Sequence, residues 1–164
     1  MTTITAGTWT YPRSVRDPLL AAAGLLLVLL VAAFGRHLGQ PPVAMGPWMT
    51  VHLLTIIPAV PLGAVMLLRP KGDRLHRLIG RVWVALMMIA ALASFGVRHL
   101  TGHLSLIHIL SVVTLLALPR AILDARAGRI ARHRRTMTIV YAALVIAGYF
   151  TLIPTRTLGG FLFG

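Results

Sequence analysis

Long uncharged stretches alternate with short basic segments along the whole chain. Five such stretches lie at 18–35, 48–68, 82–97, 99–119 and 136–155. Each is close to the roughly 20 residues that an α-helix needs to cross about 30 Å of hydrocarbon. The pattern therefore predicts an all-α, polytopic transmembrane bundle that forms a single domain over residues 1–164. Its five helices are expected at about 18–37, 48–69, 74–100, 103–126 and 130–154.

The composition supports a membrane location. Hydrophobic residues make up 57% of the chain and charged residues 12%, whereas about a quarter of a typical soluble domain is charged. The net charge of +13 does not indicate nucleic-acid binding, because the cations lie in clusters between apolar runs and not on one solvated surface. We therefore expect the lipid bilayer, and no nucleic acid, as a partner. The chain has no cysteine, which excludes disulfides and thiolate metal sites.

The distribution of Lys and Arg predicts the orientation in the membrane. With five spans, the N-terminal segment, the second-to-third loop and the fourth-to-fifth loop share one face. That face holds thirteen cations and the opposite face holds only Arg36, Arg98 and Arg156. The positive-inside rule then places the N-terminus in the cytoplasm and the C-terminus outside. The thirteen are Arg13, Arg16, Arg69, Lys71, Arg74, Arg77, Arg81, Arg120, Arg126, Arg129, Arg132, Arg134 and Arg135.

Local signals agree with these boundaries. Pro41 and Pro42 separate the first two helices, and Trp48 suits the outer interface. Asp73 is placed to cap the third helix, and Gly128 suits the end of the fourth.

The second and third helices resemble the fourth and fifth. Aligning His52 with His108 gives an offset of 56 residues, and aligning His76 with His133 gives 57. The two hairpins would run in the same direction, so a four-helix core (helices 2–5) would consist of two parallel repeats. The first helix lies outside the repeat and is expected to pack against the core or anchor it.

Four of the seven histidines occur at two matched depths. His52 and His108 lie near the outer ends of helices 2 and 4, and His76 and His133 open helices 3 and 5 at the cytoplasmic side. Ionisable side chains in the membrane usually mark function or a buried partner, and bis-histidine ligation of haem iron favours electron transfer. The layout predicts a b-type cytochrome with one or two haems, whose ligands are His52, His108, His76 and His133.

Other residues fit this hypothesis. A flat macrocycle could approach the backbone along Thr55, Ala59 and Gly63, which follow His52 on one face, or near Gly80, one turn from His76. Four arginines at the cytoplasmic side could bind haem propionates or lipid headgroups. They are Arg77, Arg81, Arg134 and Arg135.

Alternative explanations exist for the histidines. A single histidine near a helix end is usually an interfacial hydrogen-bonding residue. His37, His99 and His103 do not fit the two depths, and zinc at His99 and His103 would lack a carboxylate or thiolate ligand. The three aspartates all lie at the cytoplasmic edge, so we expect no acidic dyad or Ser-His-Asp set in the membrane.

The order of motifs resembles a bacterial membrane family called domain of unknown function 2306. The motifs are His52, Pro58, Gly63, Leu68-Arg69, Lys71-Gly72, His76-Arg77, Gly80-Arg81, Ser105-Leu106-Ile107-His108, His133-Arg134 and Pro154-Thr155-Arg156. The resemblance covers about residues 48–158 and implies a polytopic protein of the bacterial inner membrane, with no established activity.

The four-histidine layout is also similar, more distantly, to the dihaem cytochrome b(561) class. That resemblance implies one haem between His52 and His108 on the outer side and one between His76 and His133 on the cytoplasmic side. The spacings of 24, 32 and 25 residues are shorter than in that class and place the inner pair close to the headgroups.

Three functions are therefore compatible with the sequence. The first is electron transfer from a quinol-type or soluble donor to an acceptor, with haem b and a bound quinone as the candidate cofactors. The second is a non-catalytic accessory subunit of a larger membrane complex, without haem. The third, a small-molecule permease, is disfavoured because the five uncharged stretches offer no acidic residue near the centre of the membrane. A homodimer is compatible with each.

Overall fold

The computed structural model describes residues 11–36, 46–97 and 106–152. These residues form five helices and no strand, which confirms the predicted all-α bundle. The helices are α1 (Arg13–Arg36), α2 (Pro47–Leu68), α3 (Arg74–Ser94), α4 (Leu106–Arg126) and α5 (Ile130–Thr151). Pro41, Pro42, His37, His99 and His103 lie outside the described residues.

Helices α1 to α4 are each long and apolar enough to cross a membrane, so the chain is an integral membrane protein. Within the described residues α5 does not meet the same combination of length and apolarity. Its first six residues include Arg132, Arg134 and Arg135, which shorten its apolar part. The fifth crossing therefore stays a prediction.

Tight turns join the helices of each hairpin. Between α2 and α3, Gly72 has a φ of +90°, and the Asp73 carboxylate accepts a hydrogen bond from the His76 backbone N–H at 2.6 Å. Between α4 and α5, Gly128 has a φ of +73°. Glycine adopts these left-handed conformations without steric cost, so both turns have a local basis in the sequence.

Helix α3 ends at Ser94, about six residues before the predicted limit of 100. The Trp48 ring packs against Gly96 so closely that a Cβ there would overlap it. The end of α3 and the start of α2 are therefore in direct contact.

The two hairpins pack side by side, with α3 against α4 and with α1 against both α2 and α5. Helix α1 thus packs on the four-helix core, as expected. Helices α2 and α4 do not pack on each other anywhere in the described residues. They occupy opposite corners of the core, which leaves space between them.

Both turns lie at the same end of the bundle as the start of α1. The Lys71 ammonium lies 5.1 Å from the centre of the Tyr11 ring, and the Tyr11 and Thr138 hydroxyl groups are 3.1 Å apart. We call this the basic end, because all thirteen cations of the predicted cytoplasmic face belong to it. The opposite end, where α2 and α4 begin, is the far end.

Candidate functional site

A cavity of about 220 Å³ lies in the far half of the bundle. Its wall is mainly apolar, and all five helices contribute to it, including Leu26 and Leu30 of α1. The imidazoles of His52 and His108 both line it. The structure therefore brings together the two histidines that were predicted at the outer depth, on the two helices that do not pack on each other.

His52 is held in one orientation by the backbone of α3. Its Nδ1 lies 2.9 Å from the carbonyl oxygen of Ala90. A carbonyl only accepts, so Nδ1 carries the proton, and in the neutral ring Nε2 keeps its lone pair. A histidine that binds a metal commonly makes this second hydrogen bond to a backbone carbonyl.

His108 is buried, with 5% of its surface exposed. Its Nε2 lies 3.2 Å from the carbonyl oxygen of Ser94, so Nε2 is the donor in this arrangement. The His108 ring also lies 5.7 Å from the Phe95 ring, centre to centre. Close by, the Ser94 hydroxyl donates to Ala91 O at 2.7 Å and accepts from Ser111 Oγ at 2.6 Å.

Two aromatic side chains fill the bundle on the basic side of the cavity. Trp83 Nε1–H donates to Ala59 O at 2.8 Å, and the Tyr141 hydroxyl donates to Val60 O at 3.0 Å. The Tyr141 ring occupies the space beside Gly63, where a Cβ would overlap it. The expectation that Gly63 leaves room for a macrocycle is therefore wrong.

The approach at Ala59 is also closed, whereas Thr55 is half-buried. Thr55 Oγ1 donates to the backbone oxygens of Val51 and His52, and Ala59 is fully buried beneath Trp83. The cavity instead faces a neighbouring stripe of α2 that includes His52, Ile56 and Val60.

The other two predicted ligands both lie at the basic end. His76 and His133 are within electrostatic range of each other, and His133 Nδ1 lies 2.9 Å from Ala121 O. His76 Nδ1 is buried and has no hydrogen-bond partner. Neither residue lines the cavity of the far half, so the two predicted pairs lie in separate environments.

Three of the four candidate arginines are at the surface. Arg77, Arg81 and Arg135 are exposed, and Arg134 is half-buried near Tyr11. Arg77 donates to Gly72 O at 2.6 Å, and Arg81 Nε donates to Arg77 O at 3.1 Å. Arg77 and Arg81 thus belong to the outer face of α3, which is in reach of lipid headgroups.

A comparison with family models matches residues 49–162 to a family of predicted membrane proteins, DUF2306. The chain belongs to this family. The DUF2306 match covers α2 to α5 and leaves α1 outside, so the four-helix core is the part that the family shares. No curated protein and no solved structure matches the chain. The similarity to the cytochrome b(561) class therefore stays a resemblance in histidine layout.

The polar residues in the cavity wall of this DUF2306 chain were not predicted. Ser111 and Thr114 follow His108 at intervals of three on α4, and Ser94 of α3 contacts Ser111. A signal for the two α4 residues existed, because side chains three apart share a helix face. Nothing in the sequence indicated that Ser94 would meet that face.

Asp124 was assigned only to the cytoplasmic edge, but the structure buries it. Its side chain is 2% exposed, and Oδ1 lies 2.7 Å from Arg129 Nε and 3.9 Å from Arg132 Nη1. These ion pairs join the last turn of α4 to the start of α5. We therefore assign Asp124 to the structure of the α4–α5 turn.

Proposed function

We propose that the chain is a membrane electron-transfer protein that holds one haem b between His52 and His108. The observation that carries this proposal is that both imidazoles line one apolar cavity from helices at opposite corners of the core. Haem held by two imidazoles supplies one-electron transfer at an iron that is closed to substrates.

His52 is the better-oriented of the two ligands. The Ala90 carbonyl fixes its tautomer and leaves the Nε2 lone pair available. Among the described residues no group of three or more His, Asp or Glu side chains could hold a metal ion. A bis-histidine haem needs only two side-chain ligands, so the donor set in the cavity fits this cofactor.

The cavity volume and the hydrogen bond of His108 would both have to change for haem to bind. The cavity volume of about 220 Å³ is below the roughly 300–1,000 Å³ of sites for drug-sized ligands. The wall, to which α1 contributes Leu26 and Leu30 from outside the family core, would therefore have to move outward. His108 would also have to exchange its contact with the Ser94 carbonyl for the iron.

The test is a reduced-minus-oxidised visible spectrum of the detergent-purified protein, expressed with ample haem, with haem and protein quantified together. We expect sharp b-type bands and about one haem per chain. His52→Ala and His108→Ala should each remove the bands, and the matched control His133→Ala should retain them. Protein without absorbance would contradict the proposal, and bands that survive in both cavity variants would place the haem elsewhere.

A quinone headgroup is the second candidate for the same cavity. It is favoured by the small volume and by the hydroxyl groups of Ser94, Ser111 and Thr114 in an otherwise mainly apolar wall. Here the hydroxyl groups of the reduced quinol would donate to His52 Nε2, which keeps its lone pair, and to the hydroxyl oxygens of the wall. Solvent extraction of colourless purified protein, followed by chromatography, should then yield a quinone in the wild type and less of it in His52→Ala.

The further expectations stay predictions. A second haem would use His76 and His133, with propionates near Arg77, Arg81, Arg134 and Arg135. Two haems per chain in the spectrum above would support it. An accessory role in a larger complex, or a homodimer, predicts colourless protein that copurifies with partner subunits or with a second copy.

A further inference from the structure

The first two turns of α3 carry two adjacent exposed stripes. Arg74, Arg77 and Arg81, at intervals of three and four, share one face of the helix. Beside it lie three apolar side chains at the same intervals. These are Leu75, Leu78 and Val82, which are 42%, 54% and 46% exposed.

The arginines of this surface have no carboxylate partner among the described residues. The nearby Asp73 pairs with Arg69 at 3.0 Å. Arg77 and Arg81 donate to the carbonyl oxygens of Gly72 and Arg77, which lie nearer the basic end than their own Cα atoms. Both side chains therefore extend along the helix towards the membrane surface.

The surrounding charge is strongly positive. The basic end holds thirteen cations and all three aspartates, a formal excess of ten positive charges. Burial lowers the pKa of Lys71, and the nearby charges of Arg16 and Arg69 lower it further. The positive-inside bias accounts for the side on which cations lie, but it does not require them to share one face beside an exposed apolar stripe.

We propose that this surface of α3 binds an anionic phospholipid. The phosphate lies against Arg74, Arg77 and Arg81, and an acyl chain lies along Leu75, Leu78 and Val82. Cationic side chains at the membrane interface recognise acidic headgroups. The three apolar side chains lie at the depth of the arginines, and Ile89, which is 45% exposed and two turns beyond Val82, continues their face into the hydrocarbon. The proposal is independent of the cofactor in the cavity.

The experiment uses full-length protein in mild detergent, with phosphatidylglycerol or phosphatidylcholine added at increasing concentration. Binding is followed by native mass spectrometry and by the midpoint of thermal unfolding. We expect phosphatidylglycerol to remain bound and to raise the midpoint by several degrees, and phosphatidylcholine to do neither. Neutralising the stripe (Arg74→Gln, Arg77→Gln and Arg81→Gln together) should weaken phosphatidylglycerol binding at least about tenfold.

The matched control removes the same charge elsewhere at the basic end. Arg13, Arg120 and Arg126 are exposed, and changing all three to Gln should leave phosphatidylglycerol binding within about twofold of the wild type. Equal losses in the two triple variants would overturn the proposal, since they would indicate a diffuse charge effect. An equal rise in the midpoint with glycerol 3-phosphate would also overturn it, because that compound has a phosphate but no acyl chain.

Discussion

At Gly63, α2 has no room for a side chain. A Cβ there would overlap the Tyr141 ring and lie 3.1 Å from Trp83 Nε1, and both aromatic groups are held by buried hydrogen bonds to α2. We expect Gly63→Ala to destabilise the protein by about 1–3 kcal/mol, the usual range for overpacking. Unfolding in detergent by heat or by denaturant measures the change.

Gly80→Ala is the control for that substitution. A Cβ at Gly80 would meet only the Met66 methyl group, at an ordinary 3.5 Å, so its stability should stay close to that of the wild type. Equal stability of Gly63→Ala and Gly80→Ala would show that Tyr141 moves aside without cost.

The candidate ligands His52 and His108 were predictable from the sequence, but the groups to which they hydrogen-bond were not. A histidine at a given depth of an apolar helix is visible in the pattern, so His52 and His108 could be placed on opposite helices. The carbonyl groups of Ala90 and Ser94 that hold them belong to α3, and helical spacing does not say which turn of a neighbouring helix will face them. For the same reason the space beside Gly63 was assigned to a cofactor, while Tyr141 fills it.

At the scale of the element, the start of α3 has a titratable cap. Asp73 accepts the His76 backbone N–H and pairs with Arg69, and that backbone hydrogen bond is the largest cause of its lowered pKa. A carboxyl whose folded-state pKa is depressed contributes stability above its unfolded-state pKa. That contribution is lost as pH falls through the folded-state value.

We therefore expect the wild-type protein to lose more stability at acidic pH than the Asp73→Asn variant loses. Asparagine caps a helix well but does not titrate, so the variant should show a flatter profile of unfolding midpoint below the ordinary pKa of 3.8. Asp17→Asn, which removes a carboxylate that pairs with the adjacent Arg16, is the control. Identical acid profiles of wild type and Asp73→Asn would show that the cap charge has no role.

The helices themselves followed from the pattern, with differences at their ends. Uncharged length predicted α2 closely, because the Pro-Lys-Gly-Asp turn at 70–73 ends it. Apolarity alone predicted too long an α3, which ends at Ser94. The contact of Trp48 with Gly96, just beyond that end, is tertiary and is not visible in the sequence. The place of α1 was also outside the reach of the sequence. Leu26 packs against Gly148 of α5 so closely that a Cβ on that glycine would overlap the leucine. The periodicity of the sequence does not indicate this contact.

For the whole molecule, the two halves differ in how they are filled. Trp83 and Tyr141, whose ring centres are 6.5 Å apart, connect the opposite corners α3 and α5 and close the bundle in the middle. On the far side no large aromatic pair joins α2 to α4 among the residues that line the cavity. The cavity therefore lies where the two histidines are, and any cofactor there is separated from the basic end by the aromatic layer.

Orientation in the membrane can be tested because the chain has no cysteine. Single cysteines at exposed Pro70 and Ala127 mark the two turns of the basic end, and one at exposed Pro47 marks the far end. With thirteen of sixteen Lys and Arg residues at the basic end, the positive-inside rule predicts that this end lies in the cytoplasm. In intact bacterial cells, a membrane-impermeant maleimide should label Pro47→Cys. The same reagent should label Pro70→Cys and Ala127→Cys only after the cells have been permeabilised. The reverse pattern would place the basic end outside, and labelling of Pro70→Cys and Ala127→Cys from opposite sides would contradict two parallel hairpins.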